Sequence, residues 1–490
     1  MRVLFAASEV YPLIKTGGLA DVAGALPAAL TQAGVDVRVL LPGYPEAVDA
    51  AEDKCAGVAL GDPLKIGAEA RLITARMPGS GVPLRLIDCP QLFDRPGGPY
   101  QDVDGQEYPD NALRFGLLSW AAAHLSLAGD GDGWRPDVLH ANDWQTGLAA
   151  AYLHAWDAEV RPATVFTIHN IAYQGRFPRE MVPRLGLDWS MYTPEGLEFW
   201  DTLGFLKAGL CYSDRITTVS RRYATEIQSA PFGCGLEGLL KHRAADLVGI
   251  LNGADYAVWN PAEDENLPVR YTAAECVAGK AANKKILQER LGLEVAADKP
   301  LLVIVSRLND LKSGDVVLGA LPAILRQGAQ LAVLGTGDHG LEGAFRAAAR
   351  SNPRQVAVKI GYSEGSAHRL MAAGDMLLLP SRFEPCGLTQ FYAFRYGTVP
   401  VAHFVGGLAD TIVDTTYDSL MTGTGTGFVF DHANVGALKW TIERAIALYR
   451  QKDNWRRVQA AGFAQDFGWD RSAARYIELY RSVAVSRGNP

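Results

Sequence analysis

The chain opens with Val3-Leu4-Phe5-Ala6-Ala7, then Glu9, then Lys15-Thr16-Gly17-Gly18-Leu19-Ala20-Asp21. A short apolar run bounded by polar residues reads as a buried strand, and a glycine pair ahead of an apolar stretch reads as the entry of a helix. Strand, glycine turn and helix in that order begin a parallel sheet with crossover helices. Glu9 follows the run at once and no small-residue cleavage site is evident, so the run is a first strand and not a secretion signal.

The same alternation continues outward from this segment. Further strands are predicted at Val35 to Leu41, Leu84 to Ile87, Val138 to His140, Thr164 to Ile168 and Ile216 to Val219. A second series follows at Leu301 to Val305, Gln330 to Leu334, Val356 to Ile360, Met376 to Leu379, Val399 to His403 and Gly427 to Phe430. The α/β pattern therefore starts twice, in a chain of 490 residues. That length exceeds the roughly 250–300 residues one core supports. Gly-Gly-Leu-Ala-Asp recurs at residues 406–410, which we read as a second ligand-facing loop, one per domain. Turn signals at Leu251-Asn252-Gly253 and Trp259-Asn260-Pro261 mark the boundary. They give domains over residues 1–248 and 249–464, with a C-terminal helix over about 465–490 expected to pack back on the first.

With 48% hydrophobic and 21% charged residues, the composition is that of an ordinary soluble protein with mass for two cores. The net charge of −7 and the lack of a basic stretch exclude nucleic acid and anionic membrane as partners. No apolar stretch approaches the roughly 20 residues of a membrane span. Six cysteines, Cys55, Cys89, Cys211, Cys234, Cys276 and Cys386, show no metal-binding spacing. They point to reduced thiols in a cytoplasmic protein.

In open α/β sheets, ligands bind beyond the carboxyl ends of the strands. Those ends carry Glu9 and then Lys15 with Gly17 and Gly18, then His140, Asn142 and Asp143, then His169 and Asn170, then Asn252. In the second half they carry Ser306-Arg307 with Lys312, Gly335-Thr336-Gly337, Gly361-Tyr362, Ser381-Arg382-Phe383-Glu384 and Gly406-Gly407. Lysine beside a glycine-rich helix start is a phosphate device, because bare backbone and the helix dipole both favour an anion. The plain alternative is a simple helix-entry turn. Gly335 to Gly340 matches G-x-G-x-x-G, but the acid a ribose needs about 20 residues on is missing, so a dinucleotide oxidoreductase is set aside.

Arg307 and Lys312 follow one strand closely enough to clasp a leaving diphosphate without metal. Their plain alternative is a surface ion pair. Glu384 is a hydrogen-bond acceptor for sugar hydroxyls, or else a helix cap or a partner for Arg382. His169 is either a core histidine or, given Asn170 and Tyr173-Gln174-Gly175, part of a wet site. Asp130-Gly131-Asp132 has a D-x-D spacing but lies in a glycine-rich loop and reads as a turn.

Taken together, these strings resemble the bacterial glycogen synthase and plant starch synthase family along nearly the whole chain. The most specific are Lys15 to Val22 (KTGGLADV) and Ser381 to Gln390 (SRFEPCGLTQ). The resemblance implies an α/β protein with two Rossmann-like domains facing across a deep cleft, the GT-B type of glycosyltransferase. It implies retaining transfer of glucose from ADP-glucose to the non-reducing 4-hydroxyl of an α-1,4-glucan, glycogen or a maltooligosaccharide, with no cofactor and no metal.

By the same resemblance, Arg307 and Lys312 would hold the donor diphosphate and Lys15 would lie by the phosphates and sugar. Glu384 would bind the glucosyl hydroxyls and His169 would sit beside the sugar. These five are the expected catalytic groups. Gly406 and Gly407 would give backbone contacts, Tyr362 would stack on adenine, and Tyr100, Asp143 and Asn252 would line the sugar and acceptor side. Gly17, Gly18, Asp21, Gly337, Cys386, Gly387, Leu388 and Thr411 complete the expected substrate-binding set. With no clear second carboxylate as nucleophile, front-face attack is favoured over double displacement through Glu384.

The chain departs from the family pattern at Gln145, at Asn309 to Ser313, at Ala254, and at His403-Phe404-Val405, where basic residues followed by Thr are usual. The last departure keeps UDP-glucose open as donor and a low-activity glucan-binding relative open as function. Other retaining transferases of the fold, and a glucan phosphorylase, are the remaining rivals.

Overall fold

The computed structural model describes residues 1–158 and 160–486. The chain divides into two compact units, one formed by Met1–Gly253 with the chain from Trp469, the other by Ala254–Gly468.

The first unit is built on β1 (Arg2–Ala6), β2 (Asp36–Pro42), β3 (Glu52–Gly61), β4 (Ala70–Arg76), β5 (Pro83–Asp88), β6 (Val138–Asn142) and β7 (Ala163–Ile168). A small antiparallel sheet of β8 (Arg176–Pro178), β9 (Glu198–Phe199) and β10 (Thr202–Gly204) interrupts the pattern before β11 (Arg215–Thr218) and β12 (Leu247–Gly249). The large sheet runs β12-β11-β7-β6-β1-β2-β5-β4-β3. Residues Val3 to Ala7 are almost wholly buried, as a central parallel strand covered on both faces requires. The winding reverses between β1 and β6, which pair directly, and such a switch point opens a crevice at the strands' carboxyl ends.

Strands β3, β4, β8 to β10 and β12 of this unit were not read from sequence, whereas its C-terminal helix was. β3 begins Glu52-Asp53-Lys54-Cys55 and pairs with β4 through repeated register shifts, so neither an apolar run nor a clean alternation marks it. β8 to β10 are two or three residues each, too short to carry a period. The helix Trp469–Ser486 lies in this unit, Tyr480 donating or accepting at His140 Nδ1 over 2.7 Å and Ser472 Oγ donating to the Leu251 carbonyl. Its expected continuation over 487–490 lies outside the described residues.

The second unit holds β13 (Leu301–Val305), β14 (Gln330–Gly335), β15 (Val356–Ile360), β16 (Met376–Leu379), β17 (Val399–His403) and β18 (Phe428–Phe430). Its sheet runs β15-β14-β13-β16-β17-β18, all parallel. That is the doubly wound order of the Rossmann fold, with its switch point between β13 and β16. Both units are therefore Rossmann-like α/β folds. Among the described residues no helix is long and apolar enough to cross a membrane.

Candidate active site

In the first unit the loop after β1 reaches the helix Gly18–Gln32, capped by Gly17. Glu9 turns back onto this entry, its Oε2 accepting from the backbone N–H of Thr16 (2.5 Å) and Gly17 (3.0 Å). Its Oε1 accepts from the Tyr100 hydroxyl at 3.1 Å, which also bonds Ser8 at 2.8 Å. Burial pushes the Glu9 carboxyl up despite these donors. The amides expected to cradle a ligand anion are thus occupied by a carboxylate of the chain itself. Lys15 Nζ stands 2.7 Å from Asp21 Oδ1, so the expected cation is at the loop with its charge paired.

Across the switch point, the loop after β6 holds Asp143 at φ 56° and ψ 179°, near a region almost reserved for glycine. Asp143 Oδ1 accepts from the N–H of His169 at 2.7 Å and of Asn170 at 3.4 Å. Burial outweighs these bonds and raises its carboxyl to about 7. His169 is buried as well, which lowers its imidazole to about 3 and keeps it neutral. Asn142 Nδ2 donates to the Ala6 carbonyl, so its Oδ1 is the atom 2.9 Å from His169 Nε2. His169 must then carry its proton on Nε2 and leave the Nδ1 lone pair available. His140, by contrast, is core, its ring held between Tyr480 and Thr167. Asn252 is buried with its Oδ1 unpartnered, and Gly253 packs so tightly on Trp469 that a Cβ would lie 2.6 Å from the indole.

In the second unit the loops after β13 and β16 flank the switch point and meet. Lys312 ends the short turn Asp310–Lys312, whose cap Asn309 accepts the Lys312 N–H at 3.1 Å. Lys312 Nζ lies 2.5 Å from Glu384 Oε2, and Ser381 Oγ donates to the same oxygen at 2.8 Å. Arg382 does not pair with Glu384. It holds Asp315 at 2.7 Å and the Asp310 carbonyl at 2.8 Å, fastening the loop that carries Lys312. Ser313 sits at φ 55°, its hydroxyl accepting from Arg382. Arg307 is exposed and makes no ion pair among the described residues. With Ser306, Leu308 and Lys312 it lines a small pocket.

Several expected ligand-binding groups turn out to be engaged within the chain. The Gly337 amide donates to Glu342 Oε1 at 3.0 Å, and a Cβ there would stand 2.3 Å from the Leu308 carbonyl. The Gly407 amide faces the carbonyls of Glu384 and Pro385 at 3.2 and 3.1 Å. Thr411 Oγ1 donates to the Gly407 carbonyl at 2.6 Å. Cys386 is buried, Gly387 has φ 71°, and Leu388 caps the helix Thr389–Tyr396. Tyr362 is 67% exposed, as an aromatic platform must be. His403 places Nδ1 2.7 Å from the Ser381 carbonyl and Nε2 3.2 Å from that of Asp431, so the altered rim is tied to backbone.

Asp130 and Asp132 both bind Arg38, and Asp130 also takes Arg85 at 2.8 Å, making the D-x-D an internal ion cluster. Among the described residues no group of three or more His, Cys, Asp or Glu could hold a metal. Sequence reasoning noted Glu9 at a strand end without giving it a role, and passed over Glu342, whose only signal was a carboxylate six positions after the Thr of a Thr-Gly pair.

The chain is similar to known proteins along nearly its whole length. A profile of the starch synthase catalytic domain matches residues 2–242, and one of glycosyl transferases group 1 matches residues 287–460. Glycogen synthase from Paramagnetospirillum magneticum is 67% identical over 488 residues, covering 100% of this chain and 99% of that protein. The Rhodospirillum rubrum glycogen synthase is 50% identical, covering 99% and 98%. The catalytic domain of starch synthase IV from Arabidopsis thaliana, solved bound to ADP and acarbose, superposes with a TM-score of 0.89 at 31% identity, covering 99% of each chain. Sucrose-phosphate synthase from Thermosynechococcus elongatus shares the fold at a TM-score of 0.59 and 17% identity. The chain belongs to the glycogen synthase and starch synthase family of glycosyltransferases.

Proposed function

We infer that this glycosyltransferase moves glucose from ADP-glucose to the non-reducing 4-hydroxyl of an α-1,4-glucan, glycogen or a maltooligosaccharide, with retention at the anomeric carbon. The observation that carries the reading is the Lys312–Glu384 pair at the second unit's switch point. In this reading the second unit takes the nucleotide sugar. As the C1–O bond to the diphosphate breaks, negative charge grows on the phosphate oxygen, and Arg307 and Lys312 stabilise it. Glu384 has one oxygen held by Lys312 and Ser381. The other remains for sugar hydroxyls, which supports a positioning role over that of nucleophile. The acceptor 4-oxygen then bonds C1 on the face the phosphate leaves, and its proton passes to the departing phosphate oxygen.

In the first unit, Lys15, Asp143 and the neutral His169 stand at the strand ends, and the His169 Nδ1 lone pair can accept from a sugar hydroxyl. Adenine as the base is supported by exposed Tyr362 and by the ADP bound in the Arabidopsis relative. None of the six cysteines forms a disulfide, in keeping with a cytoplasmic setting. Purified protein is to be incubated with glycogen and either ADP-glucose or UDP-glucose, and diphosphate release and chain lengthening followed. ADP-glucose is expected to be preferred, and the new linkage to be α by proton NMR. Release from neither donor would sink the reading, and a preference for UDP-glucose would reassign the base.

A further inference from the structure

Trp200 and Asp201 form the two-residue turn between β9 and β10, and both have positive φ, 51° and 57°. That turn favours Asn-Gly or Asp-Gly, because a bulky side chain is strained in the left-handed region. Trp200 gains no burial in exchange, since it is 71% exposed. A further positive-φ residue lies against it, Gly235 at 86°, next in the chain to Cys234 at 51°. A Cβ on Gly235 would stand 3.3 Å from Trp200 Nε1. Residues held in sparsely populated conformations cluster at ligand clamps and active sites.

The turn is tied to the His169 loop. β10 pairs with β8, Gly204 facing Arg176, and Leu206 and Phe205 donate to the carbonyls of Gln174 and Gly175. Gln174 Nε2 donates to the Cys234 carbonyl at 3.0 Å. At about 3.3 Å per strand residue, the Trp200 backbone stands roughly 13 Å along the hairpin from Gly204. Beside the indole, Asp201 accepts from Arg179 at 3.1 Å, both side chains being open to solvent. A pyranose ring offers an apolar face of C–H groups and a rim of hydroxyls. The fixed indole matches the first, and the Arg179–Asp201 pair the second.

We propose that Trp200 is a stacking platform for a glucose ring of the glucan acceptor, several units from the reacting end. This rests on the glucan reading above. The test compares wild type with Trp200→Asn and Trp200→Tyr, using maltose, maltotriose and maltoheptaose as acceptors and a glycogen-containing native gel as a readout free of turnover. Asn suits the turn, so Trp200→Asn is expected to keep or raise Tm. Its half-saturation for maltoheptaose should rise at least about fivefold, with maltose, donor KM and kcat unchanged, and its gel retention should fall. Trp200→Tyr should restore most of the affinity.

Equal shifts for short and long acceptors, no shift at all, or a loss that tracks a falling Tm would overturn the platform. So would a variant whose only change is its mass in solution. Wild type that is retained by glycogen yet transfers no glucose would defeat the proposed function alone, leaving the gel to decide this inference. Transfer by wild type with Trp200→Asn identical in every assay would defeat this inference alone.

Discussion

Gly17-Gly18-Leu19-Ala20-Asp21 and Gly406-Gly407-Leu408-Ala409-Asp410 each enter a helix beyond the carboxyl end of a strand, and they differ in what surrounds the glycines. At Gly18 an added Cβ would meet nothing within 4 Å, and at Gly17 only Glu9 Oε1 at 3.9 Å. At Gly406, φ is 45° and a Cβ would lie 2.0 Å from the Glu384 carbonyl, while at Gly407 it would lie 2.0 Å from that of Cys386. The first loop is bare toward open space, with its amides on a displaceable side chain. The second is bare because the Glu384–Cys386 backbone lies on it. The expectation of matched ligand-facing loops therefore gives way to two different devices. One is an anion-suited entry filled by Glu9, the other a support under the loop that carries Glu384.

The largest effect expected is on that supported loop. Glu384→Ala and Lys312→Ala should each lower kcat by about 10²–10³-fold with Tm little changed, measured by diphosphate release and thermal melts. Full activity in both would leave the second loop nothing to support. Gly407→Ala comes next, since its Cβ meets backbone that cannot swing away. It should destabilise by about 1–3 kcal/mol, and its residual activity should fall with Glu384 displaced. Gly18→Ala should stay within about 0.5 kcal/mol of wild type in denaturant melts while weakening donor use. Equal destabilisation of both glycine variants would erase the comparison.

A further effect is expected from pH. The Asp143 carboxyl is raised from 3.8 to about 7 on folding, so the native state binds a proton that the unfolded chain has lost. Its contribution to stability is complete below about pH 4 and is lost as pH rises through about 7. Asp143→Asn removes that dependence, so relative to wild type the variant should gain about 2–3 kcal/mol between pH 5 and pH 8 in chemical denaturation. The smallest change belongs to Glu9→Gln, which keeps an acceptor for Thr16 and Gly17. Its stability should shift by under about 1 kcal/mol, while calorimetric affinity for inorganic pyrophosphate rises as the negative charge leaves the helix entry. Unchanged affinity would mean that the entry takes no anion.

Much of this was legible before any coordinates. Apolar runs such as Leu301 to Val305 and Met376 to Leu379 became strands with those bounds, because a strand buried on both faces leaves a continuous apolar signature. Glu384 and Lys312 were singled out from strand-end position and family resemblance, and they are in contact. What escaped notice had no local signature. β3 is polar and irregular at the sheet edge, β4 beside it breaks its apolar residues with Arg71 and Thr74, and the Trp200-Asp201 turn lacks the glycine that marks its type. The engagement of Gly17, Gly337 and Gly407 depends on carboxylates and carbonyls that the fold brings back to them.

By itself, the sequence determined the two α/β series, the polar strand ends and the membership of this family, since periodicity and residue type act locally. Only the tertiary structure decided which glycine is bare for a ligand and which for a neighbouring carbonyl, which histidine is core and which is neutral beside Asp143, and which cation neutralises Glu384. Those outcomes depend on distances between segments remote in sequence, and hydrogen bonding, burial and close packing act only once such segments have been brought within a few ångströms.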